Sequence, residues 1–219
     1  MQAMCKALMD AIAHESIVGV GTGRTVEACI DYWSSDVSYR DKRYVVSSER
    51  TKIYLEKLGY DVIWPNDVAG VSVYFDGVDQ IDRYGRALKG LGGAMMQEKL
   101  LMQMARTCIA VAGEGKYSDD LNNMDVPIPV EVVKQARSFV ARAIKERYSD
   151  ALIQWREGVL TDHGNPIIDV KMLPMNDLNE LELWLKSQCG VVASGLCAQR
   201  HFDKLLLADG DNLTVKLFA

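Results

Sequence analysis

Short apolar runs alternate with amphipathic stretches through the first half of the chain. The apolar runs IVGV, YVVSS, DVIW, VSVYFDG and CIAVAG each have the length of one buried strand and end near glycine, serine or proline. The predicted helices cover the N-terminal residues from Met4 to Ile12, the face formed by Val26, Ile30 and Trp33, the segment Thr51 to Leu58, and a segment that begins near Gly93. This alternation predicts an α/β fold with a doubly wound, mostly parallel sheet in a Rossmann-like three-layer α/β/α arrangement.

The pattern changes at VPIPVEVV (126–133), where two prolines interrupt an apolar run that then becomes helical. Two alternating runs around His163-Gly164-Asn165 predict a hairpin, and Asp177 to Ser187 reads as an amphipathic helix. We therefore expect a smaller α+β domain at 126–193, covering the cleft or contacting a second copy, and an α/β catalytic domain formed by 1–125 and 194–219. Within the catalytic domain, DRYGRALK is a polar excursion, and the apolar runs of the tail read as short strands that return to the main sheet.

Composition excludes several classes of protein. With 219 residues, 48% hydrophobic and 25% charged, the chain is neither disordered nor fibrous. Its net charge of -5, with scattered acidic residues, argues against nucleic acid or an anionic membrane as a partner. No apolar stretch is long enough for a membrane helix, and Asp10, His14 and Glu15 fall where a signal peptide would be apolar. We expect a cytoplasmic protein.

The residues that most often bind metals are scattered along the sequence. The 5 cysteines are odd in number and contain no CxxC pair, so buried reduced thiols are the expected state. The three histidines, His14, His163 and His201, form no HExxH or HxH pair. We therefore do not expect a metal centre built on histidines.

A glycine turn follows the first predicted strand, in VGVGTGRT. Gly21 and Gly23 allow a tight turn, and the free amides of the next helix, with the hydroxyls of Thr22 and Thr25, would form a phosphate cradle. Arg24 occupies the position where the dinucleotide fingerprint GxGxxG needs glycine, and the lysine of a Walker loop is missing. The alternative is an ordinary glycine turn.

Three further segments carry side chains suited to acid–base chemistry. Asp76 and Asp79 close the strand of FDGVD, where two carboxylates can divide proton transfers; helix capping and magnesium binding are the alternatives. In KGLGGAMMQEK, Glu98 can take a proton next to a carbonyl while Lys89 steadies the oxyanion, unless both are simply exposed helix charges. The segment GEGK (113–116) places Lys116 after the fifth predicted strand; the alternative is a solvated turn. We expect all four segments to follow strands of one sheet and to meet at its edge.

The ordered set VGVGTGRT, SSERT, FDGVDQID, KGLGGAMMQEK, PIPVEV, ARSFVAR, VLTDHGNPIIDV and GVVASGLCAQR closely resembles ribose-5-phosphate isomerase of the A type, from about residue 17 to about residue 207. The resemblance implies interconversion of D-ribose 5-phosphate and D-ribulose 5-phosphate through a cis-enediolate, without a metal or another cofactor, in the non-oxidative pentose phosphate pathway. It also implies a homodimer or a dimer of dimers.

The resemblance assigns roles to particular positions. Glu98 would shuttle the carbon-bound proton, Lys89 would stabilise the oxyanion, and Asp76 or Asp79 would handle hydroxyl protons and ring opening, with no way to choose between the two. The implied substrate-binding residues are Thr22, Gly23, Arg24, Thr25, Gly77, Val78, Gly90, Leu91, Gly92 and Lys116.

Three positions depart from the family pattern. Arg24 replaces a serine of the phosphate loop, where it would contact the phosphate or point into solvent. Leu91 replaces the middle glycine of KGGG, at a cost of about 1–2 kcal/mol if that position needs a left-handed backbone. GEGK replaces DxSK but keeps Lys116.

Other functions remain open from the sequence. Glucosamine-6-phosphate deaminases, 6-phosphogluconolactonases and CoA transferases are similar in fold, and the motif set favours the isomerase over them. A non-catalytic sugar-phosphate sensor is disfavoured because no helix-turn-helix fits before the first strand and because such a sensor has no use for the Lys89 and Glu98 pair. A paralogue that isomerises another phosphosugar is kept open by Arg24 and Leu91.

Overall fold

The computed structural model describes residues 1–123 and 125–218, which form two compact units. The first unit contains Met1–Val78, Leu100–Tyr117 and the residues from Phe202 onward, and the second contains Asp79–Lys99 and Ser118–His201. The α-helices are α1 (Gln2–Ile12), α2 (Arg24–Trp33), α3 (Glu49–Lys57), α4 (Met95–Met104), α5 (Arg137–Arg147) and α6 (Leu178–Ser187). The strands are β1 (Ile17–Val20), β2 (Arg43–Val46), β3 (Asp61–Ile63), β4 (Val71–Gly77), β5 (Gln80–Ile81), β6 (Ala87–Leu88), β7 (Ala105–Gly113), β8 (Ile128–Val132), β9 (Leu152–Leu160), β10 (Pro166–Lys171), β11 (Val191–Ser194), β12 (Leu196–Cys197), β13 (Lys204–Asp209) and β14 (Asn212–Leu217).

The first unit is built on one large sheet, which we call the main sheet, with the strand order β14-β13-β7-β4-β1-β2-β3. Each neighbouring pair is parallel except β13 and β14, which are antiparallel. From β1 the chain adds β2 and β3 on one side and then β4, β7 and β13 on the other. The strand order therefore reverses between β1 and β4, which is the place where doubly wound sheets bind ligands.

Apolar residues on the strands and helices form the core of the first unit. Val18, Val45 and Val111 have no solvent exposure, as expected for parallel strands that are covered on both faces. On α2, Val26, Ile30 and Trp33 are buried on one face, as the spacing predicts, and the Trp33 ring meets Phe75 edge-on at 5.7 Å between centroids.

The second unit contains two antiparallel sheets and the helices α5 and α6. The larger sheet has the order β11-β8-β10-β9, and the small sheet has the order β12-β6-β5. Val140 and Ile144 of α5 and Leu181 of α6 pack with strand residues such as Val130 in one apolar cluster. At the start of α6, the Asp177 carboxylate accepts the Glu180 N–H at 2.9 Å and so caps the helix.

The predicted fold class is confirmed, as are the predicted hairpin at 163–165 and the helix from 177 to 187. The second unit is larger than the predicted 126–193 domain because the hairpin β5–β6 pairs with β12. That hairpin is the polar excursion of the sequence analysis. Asp82 closes it by accepting the N–H groups of Tyr84 and Arg86.

Two expectations need correction. In the tail, only β13 and β14 return to the main sheet, because β11 pairs with β8 and β12 pairs with β6. Among the cysteines, Cys5, Cys29, Cys108 and Cys197 are buried free thiols, as predicted, but Cys189 is exposed because it lies in the short connection after α6.

Candidate active site

The first group of candidate residues lies in the first unit, at the switch point of the main sheet. Thr22 and Gly23 follow β1, and Arg24 and Thr25 are the first two residues of α2. Gly23 has φ +115°, a conformation that L side chains rarely adopt, and a Cβ there would meet no atom within 4 Å. The amide groups in the first turn of a helix have no partner within the helix and attract anions. The loop predicted to bind phosphate therefore leads into a helix N-terminus through a glycine with positive φ, and it has an exposed arginine at its third position.

Asp76 fixes this loop to the end of β4. Its side chain has no solvent exposure, and its two oxygens accept the Thr22 N–H at 3.1 Å and the Tyr74 hydroxyl. A Cβ at Gly21 would lie 2.0 Å from the carboxylate carbon of Asp76, so only glycine permits this close approach. The carboxylate therefore orients the loop through a backbone amide.

Two hydroxyls that the sequence analysis did not single out also hold the loop. Ser48 donates to the Thr22 hydroxyl at 3.0 Å, and Thr51 donates to the Gly21 carbonyl at 2.8 Å. Both are buried and follow β2, the strand next to β1. The position of SSERT after a predicted strand was the signal for them.

Lys116 lies beyond the end of β7 in the same unit. Its ammonium group donates to the Val78 carbonyl at 2.6 Å, which ties Lys116 to the segment that follows Asp76 and Gly77. The first unit thus brings together all of its predicted site residues at the carboxyl ends of β1, β4 and β7.

The second group lies in the second unit and is centred on a buried ion pair. The Nζ atom of Lys89 is 3.4 Å from Oε1 of Glu98, and both residues are 3% exposed. Glu98 lies in the first turn of α4, and the Lys89 N–H donates to the Gly195 carbonyl at 2.8 Å. The pair predicted from the sequence is therefore formed, and the alternative of exposed helix charges is wrong.

Asp79 and the turn after Lys89 complete this group. Oδ2 of Asp79, a half-buried residue, accepts the Leu91 N–H at 3.1 Å. Gly90 has φ +101° and Gly93 has φ +78°, whereas Leu91 has no positive φ and is 55% exposed. The left-handed strain considered for Leu91 therefore does not arise, because the special backbone conformations fall on its glycine neighbours.

One expectation about this turn is wrong. Lys89 and its glycine turn follow β6, which belongs to the small antiparallel sheet and not to the main sheet. Because β6 has only two residues and lies in a polar stretch, it does not show as a strand in the sequence, and all four segments were expected on one sheet.

A second buried network supports the start of α4. The Lys99 ammonium group pairs with Glu182 and donates to the Leu196 carbonyl at 2.6 Å. The other oxygen of Glu182 accepts the N–H groups of Ala198 and Gln199 at 2.7 and 2.8 Å. Burial raises the pKa of the neighbouring Cys197 thiol to about 12, so this thiol is neutral at physiological pH.

Over residues 1–123 and 125–218, no three His, Cys, Asp or Glu side chains come together in a way that could hold a metal ion. None of the helices in that part of the chain combines the length and the apolar character needed to cross a membrane.

Comparison with known proteins identifies the family. The family model described as ribose 5-phosphate isomerase A (phosphoriboisomerase A) matches residues 43–212. Among solved structures, ribose 5-phosphate isomerase A from Neisseria gonorrhoeae is 29% identical with a TM-score of 0.91, and the match covers 100% of this chain and 95% of that one. The enzyme from Methanocaldococcus jannaschii is 26% identical with a TM-score of 0.88, covering 99% and 97%. A D-ribose-5-phosphate isomerase in complex with phospho-erythronic acid is 25% identical with a TM-score of 0.91, covering 99% and 96%. Because the family model matches most of the chain, this protein belongs to the ribose 5-phosphate isomerase A family and is an aldose–ketose isomerase.

Proposed function

We propose that this isomerase interconverts D-ribose 5-phosphate and D-ribulose 5-phosphate through a cis-enediolate, with Glu98 as the base. The observation that carries this proposal is the buried pair of Lys89 and Glu98, 3.4 Å apart. It joins a proton acceptor to a fixed cation, which is what the abstraction of a proton next to a carbonyl requires.

The proton transfer uses both members of the pair. The Glu98 carboxylate takes the C2 proton of the open-chain aldose, the C–H electrons form the C1–C2 double bond, and the carbonyl electron pair moves onto O1. Lys89 and the amides of the following turn stabilise the negative charge on the enediolate oxygens. A hydroxyl proton then moves from O2 to O1, and Glu98 returns its proton to C1, which gives the ketose.

The loop after β1 is proposed to bind the phosphate. The start of α2 and the Thr22 and Thr25 hydroxyls offer donors to an anion, and the exposed Arg24 adds a positive charge. The relative solved with phospho-erythronic acid holds a ligand that carries a phosphate and a carboxylate. A ligand of that class suits an anion-binding loop and an oxyanion site.

The two aspartates are proposed to have different roles. Both oxygens of the fully buried Asp76 are engaged by Thr22 and Tyr74, so we assign it to the orientation of the loop. Asp79 is half-buried and holds the Leu91 amide with one oxygen, so we assign it to the hydroxyl protons and to ring opening.

The remaining expectations stay proposals. They are a place in the non-oxidative pentose phosphate pathway, a homodimer or dimer of dimers, and a cytoplasmic location. Light scattering after size-exclusion chromatography measures the assembly, and a monomer at micromolar concentration would contradict it.

The test of the proposed function is turnover of ribose 5-phosphate by the purified protein with a chelator present. We expect Glu98→Gln to lower kcat by about 10³-fold, because the variant cannot accept the C2 proton. Glu146→Gln, at an exposed glutamate on α5, is the matched control and should match the wild type.

Glu98→Gln also leaves the buried Lys89 without its counter-charge, so thermal unfolding must show that the variant is folded. Glu98→Asp, which keeps the charge and shortens the side chain, is the second variant and should retain more activity than the glutamine. A folded wild type that binds the sugar phosphate without converting it would point to a sensor, and conversion of another aldose phosphate instead would point to a paralogue with a different substrate.

A further inference from the structure

An arginine on a strand of the second unit holds the turn that follows Lys89. Arg156 lies on β9, and its side chain is only 13% exposed. Its Nη1 group donates to the Gly90 carbonyl at 2.9 Å and to the Leu91 carbonyl at 3.1 Å. One guanidinium group therefore binds two successive carbonyls of the turn.

The other edge of the same guanidinium is fixed by a carboxylate. Nε and Nη2 of Arg156 donate to the two oxygens of Asp169, each at 2.6 Å. Asp169 lies on β10, the antiparallel neighbour of β9. This bidentate pairing sets the plane of the guanidinium, because both fork and carboxylate are planar and the two strands are hydrogen-bonded to each other.

Holding the two carbonyls also sets the direction of the amides that follow them. In a trans peptide the C=O and N–H bonds point in opposite directions. The Gly90 carbonyl is held by Arg156, and the N–H of the same peptide, on Leu91, donates to Asp79 at 3.1 Å. The Leu91 carbonyl is held in the same way, which fixes the Gly92 N–H. The positive charge of the guanidinium group, hydrogen-bonded to both carbonyls, also polarises these peptide groups and makes their N–H groups better donors.

We propose that Arg156, oriented by Asp169, is a positioning residue that aims the Gly92 amide, in the turn after Lys89, at the oxyanion of the enediolate. The inference rests on the proposed function of this turn in oxyanion stabilisation. Arg156 acts through the backbone and does not touch the substrate. Its effect is therefore expected on the reaction's transition state rather than on the binding of the substrate's phosphate.

The test compares Arg156→Gln and Asp169→Asn with Arg147→Gln, which breaks the exposed ion pair between Arg147 and Glu180 in the same unit. For each variant we would measure kcat and KM for ribose 5-phosphate and the Kd of phospho-erythronic acid, whose carboxylate carries a negative charge as the enediolate does. Arg156→Gln is expected to lower kcat by about 10- to 100-fold and to weaken the binding of phospho-erythronic acid by a similar factor. A misplaced catalytic group lowers reaction rates to about this extent. The KM should change by less than about threefold, because the interactions that bind substrate and transition state equally are retained.

Asp169→Asn should show a smaller loss of the same kind, since the arginine stays but loses its fixed plane. If Arg156→Gln does not fold, Arg156→Lys is the alternative variant. Lysine keeps the positive charge but cannot make all the hydrogen bonds of the guanidinium group, so its kcat should lie between those of the wild type and the other variants.

A folded Arg156→Gln protein with wild-type kcat and wild-type affinity for phospho-erythronic acid would overturn this inference, and so would a rise in KM with kcat unchanged. Such results, with an active wild type and an inactive Glu98→Gln variant, would leave the proposed function intact. Turnover that persists in Glu98→Gln would instead count against the proposed function itself.

Discussion

The two aspartates of the DGVD segment differ in burial and in their partners. Asp76 is fully buried against Thr22 and Tyr74, whereas Asp79 is half-buried and holds the amide of Leu91. Three positions in the sequence thus separate a carboxylate that orients a backbone loop from one to which we assign proton transfer.

This difference predicts different kinetics for the two amide variants. In Asp76→Asn, either the Thr22 N–H or the Tyr74 hydroxyl meets an NH₂ group, which cannot accept its hydrogen bond. We therefore expect a loss of about 1–3 kcal/mol in the free energy of unfolding and a raised KM. In Asp79→Asn the proton acceptor is lost, so kcat should fall by about 10²-fold or more with little change in KM. Steady-state kinetics and urea unfolding measure both effects. The reverse split, with kcat lost in Asp76→Asn and KM raised in Asp79→Asn, would exchange the two roles.

The turn after Lys89 shows which of its positions depend on glycine. In Gly90→Ala, the new Cβ would lie 2.4 Å from Cγ of Met95 at a residue with φ +101°, so we expect a loss of more than about 2 kcal/mol in the free energy of unfolding. Leu91→Gly should change it by less than about 1 kcal/mol, because Leu91 is exposed and has no positive φ. Chemical denaturation of the two variants provides the comparison. Equal losses would mean that the backbone of this turn differs from the one described.

The sequence identified the charged pair proposed for the chemistry, but it did not identify the charged pair that holds the turn after Lys89. Glu98 and Lys89 were found because a carboxylate and a lysine flank a glycine turn. Arg156 and Asp169 were missed because single charges on alternating strands look like solvent-facing positions. Only the pairing of β9 with β10 shows that the two side chains meet.

At the scale of elements, α4 depends on a buried network at Lys99, the residue after Glu98. Glu182, which is 7% exposed, pairs with Lys99 and also accepts the N–H groups of Ala198 and Gln199. The network links α4 to α6 and to the segment after β12 within the second unit.

Glu182→Gln removes the negative charge and leaves Lys99 with neutral partners. We expect a loss of about 2–4 kcal/mol in the free energy of unfolding, as for other broken pairs that are shielded from water. Glu180→Gln, which breaks the exposed pair with Arg147, is the control and should cost less than about 1 kcal/mol. Urea unfolding compares the two, and a loss at Glu182 no larger than at Glu180 would show that the network contributes nothing.

Elements with a full period of apolar residues could be predicted, and very short ones could not. The helices α2 and α6 and the strands β1, β2 and β4 follow directly from their spacing. The strands β5, β6 and β12 have two residues each, which is too short for any period to show. Their pairing depends on contacts between distant segments, and this is why the small sheet was missed.

At the scale of the whole molecule, the candidate residues divide between the two compact units. Thr22, Asp76 and Lys116 belong to the first unit, and Lys89 and Glu98 belong to the second. We propose that both groups serve the reaction of the ribose 5-phosphate isomerase A family, to which the chain belongs. The central claim is that Glu98 breaks the C2–H bond in that reaction.

The most direct test follows that bond itself. Ribose 5-phosphate deuterated at C2 would be given to the wild type and to Glu98→Gln at saturating concentration, and the loss of deuterium from C2 would be followed by NMR. We predict that the wild type removes the label at its turnover rate and that the variant is slower by about 10³-fold, while it still binds phospho-erythronic acid. Removal of the label at the wild-type rate by folded Glu98→Gln would contradict the account.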